Sequence, residues 1–138
     1  MRIKDSALKS AKALWRSFPL LLGTILFVSL ISVTIPRSWY KNAFSGSVII
    51  DPLIGDLIGS VFAGNPLTSY IIAGELLKQG ISLIAITSFI VSWVTVGIAQ
   101  LPAEACILGK KFAILRNLTA FLLSILVSIL TVLIIGIT

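Results

Sequence analysis

Two amide–proline pairs interrupt a sequence that is otherwise almost entirely apolar. Asn65-Pro66 follows Gly64, and Gln100 stands two residues before Pro102. An amide just before a proline is typical of a helix start, because the amide can cap the helix and the proline fits its first turn. We therefore predict short helices that begin at these two points, with polar atoms at their ends.

Four acidic residues lie close to these helix starts. Glu75 and Glu104 each follow one of the prolines, whereas Asp51 and Asp56 precede the first interruption. An ionisable side chain inside a membrane is costly and is usually functional. Glu75, Glu104 and Asp56 are therefore candidate site residues, and we expect Asp51 to cap a helix. The alternative for the glutamates is plain ion pairing, of Glu75 with Lys78 and of Glu104 with the basic residues that follow it.

The composition indicates an integral membrane protein. Of the 138 residues, 57% are hydrophobic and 12% are charged, and the mean hydropathy is +1.09. A soluble domain of this size needs more charges to cover its exterior.

Histidine is absent and Cys106 is the one cysteine. This excludes an internal disulfide, a His-dependent zinc site and Ser–His or Cys–His catalysis within one subunit. We expect no cofactor and no resident metal. Cys106 is either a small buried apolar residue or a ligand for a soft metal or metalloid.

The pattern of apolar runs predicts an all-α, polytopic membrane protein with a single domain over residues 1–138. Its predicted parts are a basic interfacial helix (1–17), a transmembrane helix (18–36), a re-entrant helix–turn–helix (51–80), a transmembrane helix with a proline break (81–109) and a last transmembrane helix (112–138). Residues 81–100 form the crossing before that break, and a short helix runs from Pro102 to Gly109. After Pro36, an interfacial anchor is predicted at Arg37, Trp39, Tyr40 and Lys41.

Two short helices within 51–80 predict the re-entrant hairpin. One can run over 52–63 and the other over 66–79, and each is followed by a glycine that can end it. Their lengths are roughly 18 and 21 Å, whereas the hydrocarbon core is roughly 30 Å thick. We therefore expect a pair that enters the membrane and returns, with 64–66 at its tip.

Basic residues set the predicted orientation. Five Lys or Arg lie within the first 16 residues and three within 110–116, against three in the other loops. Because cytoplasmic loops carry the excess of basic residues, we expect a multi-pass cell-membrane protein with a cytoplasmic N-terminus and an external C-terminus. Both clusters adjoin long apolar runs, so the lipid bilayer rather than nucleic acid is their expected partner.

Small polar residues recur at helical spacing on three segments. They are Thr68, Glu75 and Gln79; Ser88, Ser92, Thr95 and Ala99; and Asn117, Ser124, Ser128 and Thr131. Two such stripes facing the hairpin would form a narrow polar path. The alternative is close helix packing, which is the ordinary use of small-residue stripes and of the Gly55–Gly59 pair.

A broken helix leaves backbone groups unpaired, which a membrane tolerates only where protein or water surrounds them. Transporters use such half-helix ends to hold substrates or ions. We expect the same use here. The predicted substrate-binding residues are Asn65, Pro66, Thr68, Glu75, Gln100, Pro102 and Glu104.

The order of several segments carries a family resemblance. They are WRSFPLLLGTILFVSLISVTIP, DPLIGDLIGSVFAGNPLTSYIIAGELLKQG, ISLIAITSFIVSWVTVGIAQLP and a basic LGKK turn before a final crossing. This order resembles one half of a predicted permease family that includes arsenic efflux permeases. The resemblance implies a polytopic permease fold with its site at the re-entrant segments. Arsenic-exporting relatives carry cysteines near the first interruption, where this chain has Gly64, Asn65, Leu67 and Thr68, so a polar or anionic solute is as well supported as a metalloid.

We therefore predict a half-size permease that moves a small polar or anionic solute, an ion or a metalloid. Three crossings and a hairpin cannot enclose a pathway, so we expect a homo-oligomer, most simply a dimer, or a paralogous half of opposite orientation. The alternative is a non-transporting subunit that stabilises a partner membrane protein. Enzymatic activity is not expected, because Glu75 or Glu104 with Ser69 would be the only available base and nucleophile.

Overall fold

The computed structural model describes residues 3–34, 36–62 and 65–137, so Arg2, Ala63 and Gly64 lie outside the described residues. These ranges form seven helices and no strand, in agreement with the predicted all-α class. The helices are α1 (Ile3–Thr34), α2 (Arg37–Ala43), α3 (Ile50–Val61), α4 (Pro66–Lys78), α5 (Leu83–Thr95), α6 (Leu101–Leu108) and α7 (Lys110–Ile137). In the predicted interfacial anchor, the side chains of Arg37, Tyr40 and Lys41 lie outside those described.

Among the described helices, α7 is the one that is long and apolar enough to cross a membrane. It has 28 residues, which makes it about 42 Å long. Large apolar side chains are exposed along most of its length, among them Phe112, Leu115, Leu118, Leu122, Leu126, Leu130 and Leu133. This surface is suited to lipid or to another apolar helix. The other predicted crossings and the re-entrant placement of 51–80 stay predictions.

The N-terminal region is one continuous helix, where the sequence predicts an interfacial helix and a separate crossing. Pro19 lies inside α1 and leaves the carbonyl group of Trp15 without its usual helical donor. Ending the helix at this point would leave four carbonyl groups unpaired. The helix therefore continues across Pro19, and residue 17 is not a break in the backbone.

The structure also differs from the predicted crossing over 81–100, because the helix in this region, α5, ends at Thr95. Its 13 residues are about 20 Å long. The Gly97 N–H donates to Asn117 Oδ1 of α7 at 2.9 Å, so it is not available to continue the helix. A short loop then leads to α6, which ends at Gly109 with φ 92°, close to the predicted bounds and in a conformation that favours glycine.

The start of α4 follows its sequence signal. Asn65 caps this helix, since its Oδ1 accepts from the Leu67 N–H at 3.0 Å, and Pro66 occupies the first turn. The predicted end of α4 is also close to the observed one. The helix ends at Lys78, and Gly80, which follows shortly after, has a φ of 89°.

The start of α3 does not follow its sequence signal, and the expected cap at Asp51 is wrong. The helix begins at Ile50, so Asp51 lies in its first turn. Its carboxylate instead accepts from Ser45 N–H at 3.0 Å, Gly46 N–H at 3.2 Å and the Ser82 hydroxyl at 2.6 Å. Asp51 thus holds the preceding loop and the start of α5 against α3.

At the centre of the bundle, α5 packs against α3, α4 and α7. The Asp51–Ser82 bond and a bond from Ile98 N–H to Ser60 O at 3.3 Å lie at opposite ends of α3, so α3 and α5 run parallel. The chain must therefore return through α4, which also packs against α1. Between α4 and α5 lies the apolar core, formed by Ala73, Ile81, Ala85, Ile86, Phe89 and Trp93.

Cys106 is exposed, so the interpretation of this residue as a buried apolar side chain is wrong. Among the packed pairs, α6 contacts α7, and none of the residues of α6 is buried. A short helix that packs on one side only leaves most of its side chains outside the core.

Candidate functional site

Three helices meet along a buried line of polar side chains, which we call the α3–α5–α7 seam. Its members are Asp56 and Ser60 of α3, Ser88 and Ser92 of α5, and Ser124 and Ser128 of α7. All are fully buried except Ser124, which is 2% exposed. On each helix the two residues are four apart, so they lie one above the other on the same face. The seam therefore runs along the helix axes for about one turn.

Glycines bring α3 close enough to α5 to form the seam. A Cβ atom on Gly55 would overlap the carbonyl oxygen of Ala85, and one on Gly59 would overlap the Ser92 hydroxyl and the Phe89 carbonyl oxygen. The Gly55–Gly59 pair thus serves the packing role that its spacing predicts.

Asp56 is the one ionisable side chain of the seam. Its Oδ1 accepts a hydrogen bond from the Ser124 hydroxyl of α7 and lies 3.4 Å from the Ser88 hydroxyl of α5. The Ser92 hydroxyl also faces this carboxyl group. Its Oδ2 is buried and has no hydrogen-bond partner among the described residues. Leaving a buried carboxyl oxygen unpaired is costly.

The hydroxyl protons of the seam are mostly engaged elsewhere. Ser88 donates to Pro52 O at 2.7 Å and Ser92 to Phe89 O at 3.1 Å. The single proton of Ser124 is shared between Asp56 and Phe121 O, which lies at 2.7 Å. Because a hydroxyl has one proton and two lone pairs, the oxygens around Asp56 offer more lone pairs than protons. The seam is therefore a cluster of acceptors.

A second polar group, which we call the Glu104 network, lies between α6, α7 and the loop after α5. Glu104 accepts two bonds from Arg116 Nη1, at 2.7 and 2.9 Å, and one from Asn117 Nδ2 at 3.2 Å. Asn117 also donates to Ala113 O at 3.0 Å, while its Oδ1 accepts from Gly97. In this network each acceptor has a donor, and the negative charge has a positive partner.

The predicted site residues lie in three separate places. Asn65, Pro66 and Thr68 start α4, Glu75 lies two turns further along that helix, and Gln100, Pro102 and Glu104 lie at or in α6. Glu75 pairs with Lys78 at 3.3 Å, whereas Glu104 joins its network. The structure brings none of these side chains into the seam by a described hydrogen bond.

Ile98, two residues before Gln100, donates its backbone N–H to the carbonyl oxygen of Ser60, near the end of α3. Asn65 and Gln100 themselves share no described hydrogen bond. The sequence signal for the seam was the recurrence of Ser88, Ser92, Ser124 and Ser128 at helical spacing, with Asp56 as a further candidate.

No family model, curated protein or solved structure matches the chain. The resemblance to a permease family therefore stays a prediction.

Proposed function

We propose that this protein is a subunit of a membrane permease, a half-transporter that moves a small polar or anionic solute or a metalloid. The observation that carries the proposal is the seam. A carboxyl group, one of whose oxygens has no partner among the described residues, lies at the meeting of three helices in a chain that is 57% hydrophobic. In a membrane, such a group is expensive and typically marks a substrate or ion pathway.

The lengths of the helices support a broken-helix mechanism. With 12 to 13 residues each, α3, α4 and α5 are about 18 to 20 Å long, shorter than a hydrocarbon core of roughly 30 Å. The proposal therefore places their ends at membrane depth. The turn between α3 and α4 and the loop between α5 and α6 then supply the polar backbone from which half-helix sites are built.

The seam is closed in this structure, which corresponds to an occluded state of the proposed transporter. Opening requires α7 to separate from α3 and α5, because Ser124 of α7 bonds to Asp56 of α3. Single chains of this size enclose no continuous pathway. The proposed assembly is a dimer of this chain or a pair with a paralogous half of opposite orientation, in a cell membrane with the N-terminus in the cytoplasm.

The alternative function is a non-transporting subunit that stabilises a partner. Two observations favour it: the tight glycine packing of α3 on α5 and the complete pairing of the Glu104 network. Both are what a permanent helix interface requires. The incomplete pairing of Asp56 is what such an interface avoids, and for that reason the permease is the preferred function.

Reconstitution tests the proposal. The tagged chain is purified from its native membranes in mild detergent, so that a paralogous partner stays bound, and is incorporated into sealed vesicles. Uptake of radiolabelled phosphate, sulfate and arsenite is compared between the wild type and Asp56→Asn, with Thr119→Ala, at an exposed position of α7 outside the seam, as the matched control. The proposal expects at least one solute to enter faster with wild type and control than with Asp56→Asn. Equal uptake in all three and in protein-free vesicles would contradict it.

A further inference from the structure

The polar atoms of the seam have the character of an ion-binding site. Its oxygens are close together but short of protons. Asp56 Oδ2 is buried and has no partner within the part of the chain that the structure describes, while Ser88 and Ser92 donate their protons to backbone carbonyl groups. A set of converging oxygen lone pairs is stabilised by a positive charge placed among them.

We infer that the α3–α5–α7 seam binds one sodium-sized monovalent cation, held by the carboxylate of Asp56 and hydroxyl oxygens of Ser88, Ser92 and Ser124. Oxygen ligands of this kind select hard cations, whereas soft metals prefer sulfur and imidazole.

The charge of the site selects a monovalent ion. Asp56 is the one acid of the seam, and no group of three His, Cys, Asp or Glu side chains that could hold a metal ion occurs among the described residues. Asp51, the other acid of α3, is engaged by three donors, and Glu104 of α6 is engaged by Arg116. One carboxylate with one monovalent cation is neutral overall, which burial in a membrane favours.

The ion would also link the three helices. Its ligands come from α3, α5 and α7, so it would stabilise the closed arrangement, and its departure would free α7 to move. The role of this cation as a coupling ion rests on the proposed transport function. The binding of the ion does not, because it needs neither a sealed membrane nor a solute.

Equilibrium binding of ²²Na⁺ to the purified full chain in detergent tests the inference, with choline chloride keeping the ionic strength constant. We expect saturable binding that unlabelled Na⁺ displaces and choline does not. Asp56→Asn, which keeps the shape of the side chain, should weaken binding by at least about tenfold, and Ser124→Ala should weaken it several-fold.

Thr119→Ala is the matched control, because Thr119 lies on the exposed face of α7, outside the seam, where its hydroxyl donates to Leu115 O at 2.9 Å. It should bind ²²Na⁺ like the wild type. Helical circular dichroism and size-exclusion profiles establish that each variant is folded.

Absence of saturable binding to the wild type would overturn the inference, and would leave a proton on Asp56 as the way in which the oxygens are satisfied. Equal binding by wild type and Asp56→Asn would overturn it too. The proposed function fails independently: sodium binding without solute uptake contradicts the permease, whereas uptake without sodium binding contradicts the cation site.

Discussion

Asp56 and Glu104 are acidic side chains that the same fold treats in opposite ways. Glu104 has a cation, Arg116, at 2.7 Å and a second donor in Asn117. Asp56 has no cation among its described contacts; serine hydroxyls face it, and its second oxygen is unpaired. A carboxylate paired with its own cation has its charge and lone pairs satisfied within the protein. A carboxylate that faces other acceptors needs an added proton or ion to satisfy them. From this difference we attribute stability to the Glu104 network, and on it we base the proposal that the seam binds a ligand.

The largest expected effect comes from separating α3 from α5, which removes the seam and leaves the Glu104 network in place. Gly55→Ala puts a methyl group onto the Ala85 carbonyl oxygen, and backbone cannot move aside as a side chain can. We expect a loss of about 2–3 kcal/mol in the free energy of unfolding, measured by denaturant titration in detergent.

Gly74→Ala is the control for this substitution. Gly74 lies within α4, and a Cβ there would meet no atom within 4 Å. The control should be neutral or more stable by about 0.5–1 kcal/mol. Equal stabilities for the two variants would mean that α3 does not pack on α5 through this glycine.

The next effect tests Asp51, a third acid, whose described hydrogen bonds come from three uncharged donors. Asp51→Asn places an NH₂ group where two backbone N–H groups and the Ser82 hydroxyl converge. We expect a loss of about 1–3 kcal/mol, seen in the same titration. A variant as stable as the wild type would contradict the role of this carboxylate in joining α3 to α5.

Neutralising Asp56 and Glu104 one at a time, in sodium-free buffer, tests the contrast between these two carboxylates. Glu104→Gln should cost about 1 kcal/mol, a value reduced by the partial exposure of Arg116. Asp56→Asn should cost less than about 0.5 kcal/mol or stabilise, because its NH₂ group supplies protons to a cluster of acceptors. The opposite order of stability in the titration would contradict the conclusion that Glu104 contributes more to stability than Asp56.

The smallest effect belongs to the Glu75–Lys78 pair, whose lysine side chain is 75% exposed. Such a pair contributes little, so Glu75→Gln should change the free energy of unfolding by less than about 0.5 kcal/mol. A larger loss in the titration would indicate that Glu75 has a partner beyond Lys78.

Local signals predicted local features well. The Asn65-Pro66 pair predicts the start of α4 because the cap and its donor, Leu67, are two residues apart. The long apolar run predicts α7, and Gly80 and Gly109 predict the ends of α4 and α6. Each of these depends on residues within one or two turns, which a sequence displays directly.

Features that depend on distant residues could not be predicted in this way. Asp51 carries the signal of a helix cap, but its partner Ser82 is 31 residues away and gives it another role. The end of α5 depends on Asn117, which is 20 residues beyond Gly97. The serine stripes were visible in the sequence, but only the packing of α7 on α3 brings Ser124 to Asp56.

The central claim is that the seam opens to water, and thiol accessibility in intact cells tests it most directly. Ser92→Cys and Ser124→Cys, each in a Cys106→Ala background, are treated from outside with a membrane-impermeant thiol reagent. Ala85→Cys, at a position that is 1% exposed within the apolar core, is the control. We predict that both seam cysteines react over minutes to hours while the control does not, because each opening of α7 exposes them. If both stay as unreactive as the control, yet react fully once the protein is denatured, the seam is a permanent dry interface and the protein is a stabilising subunit.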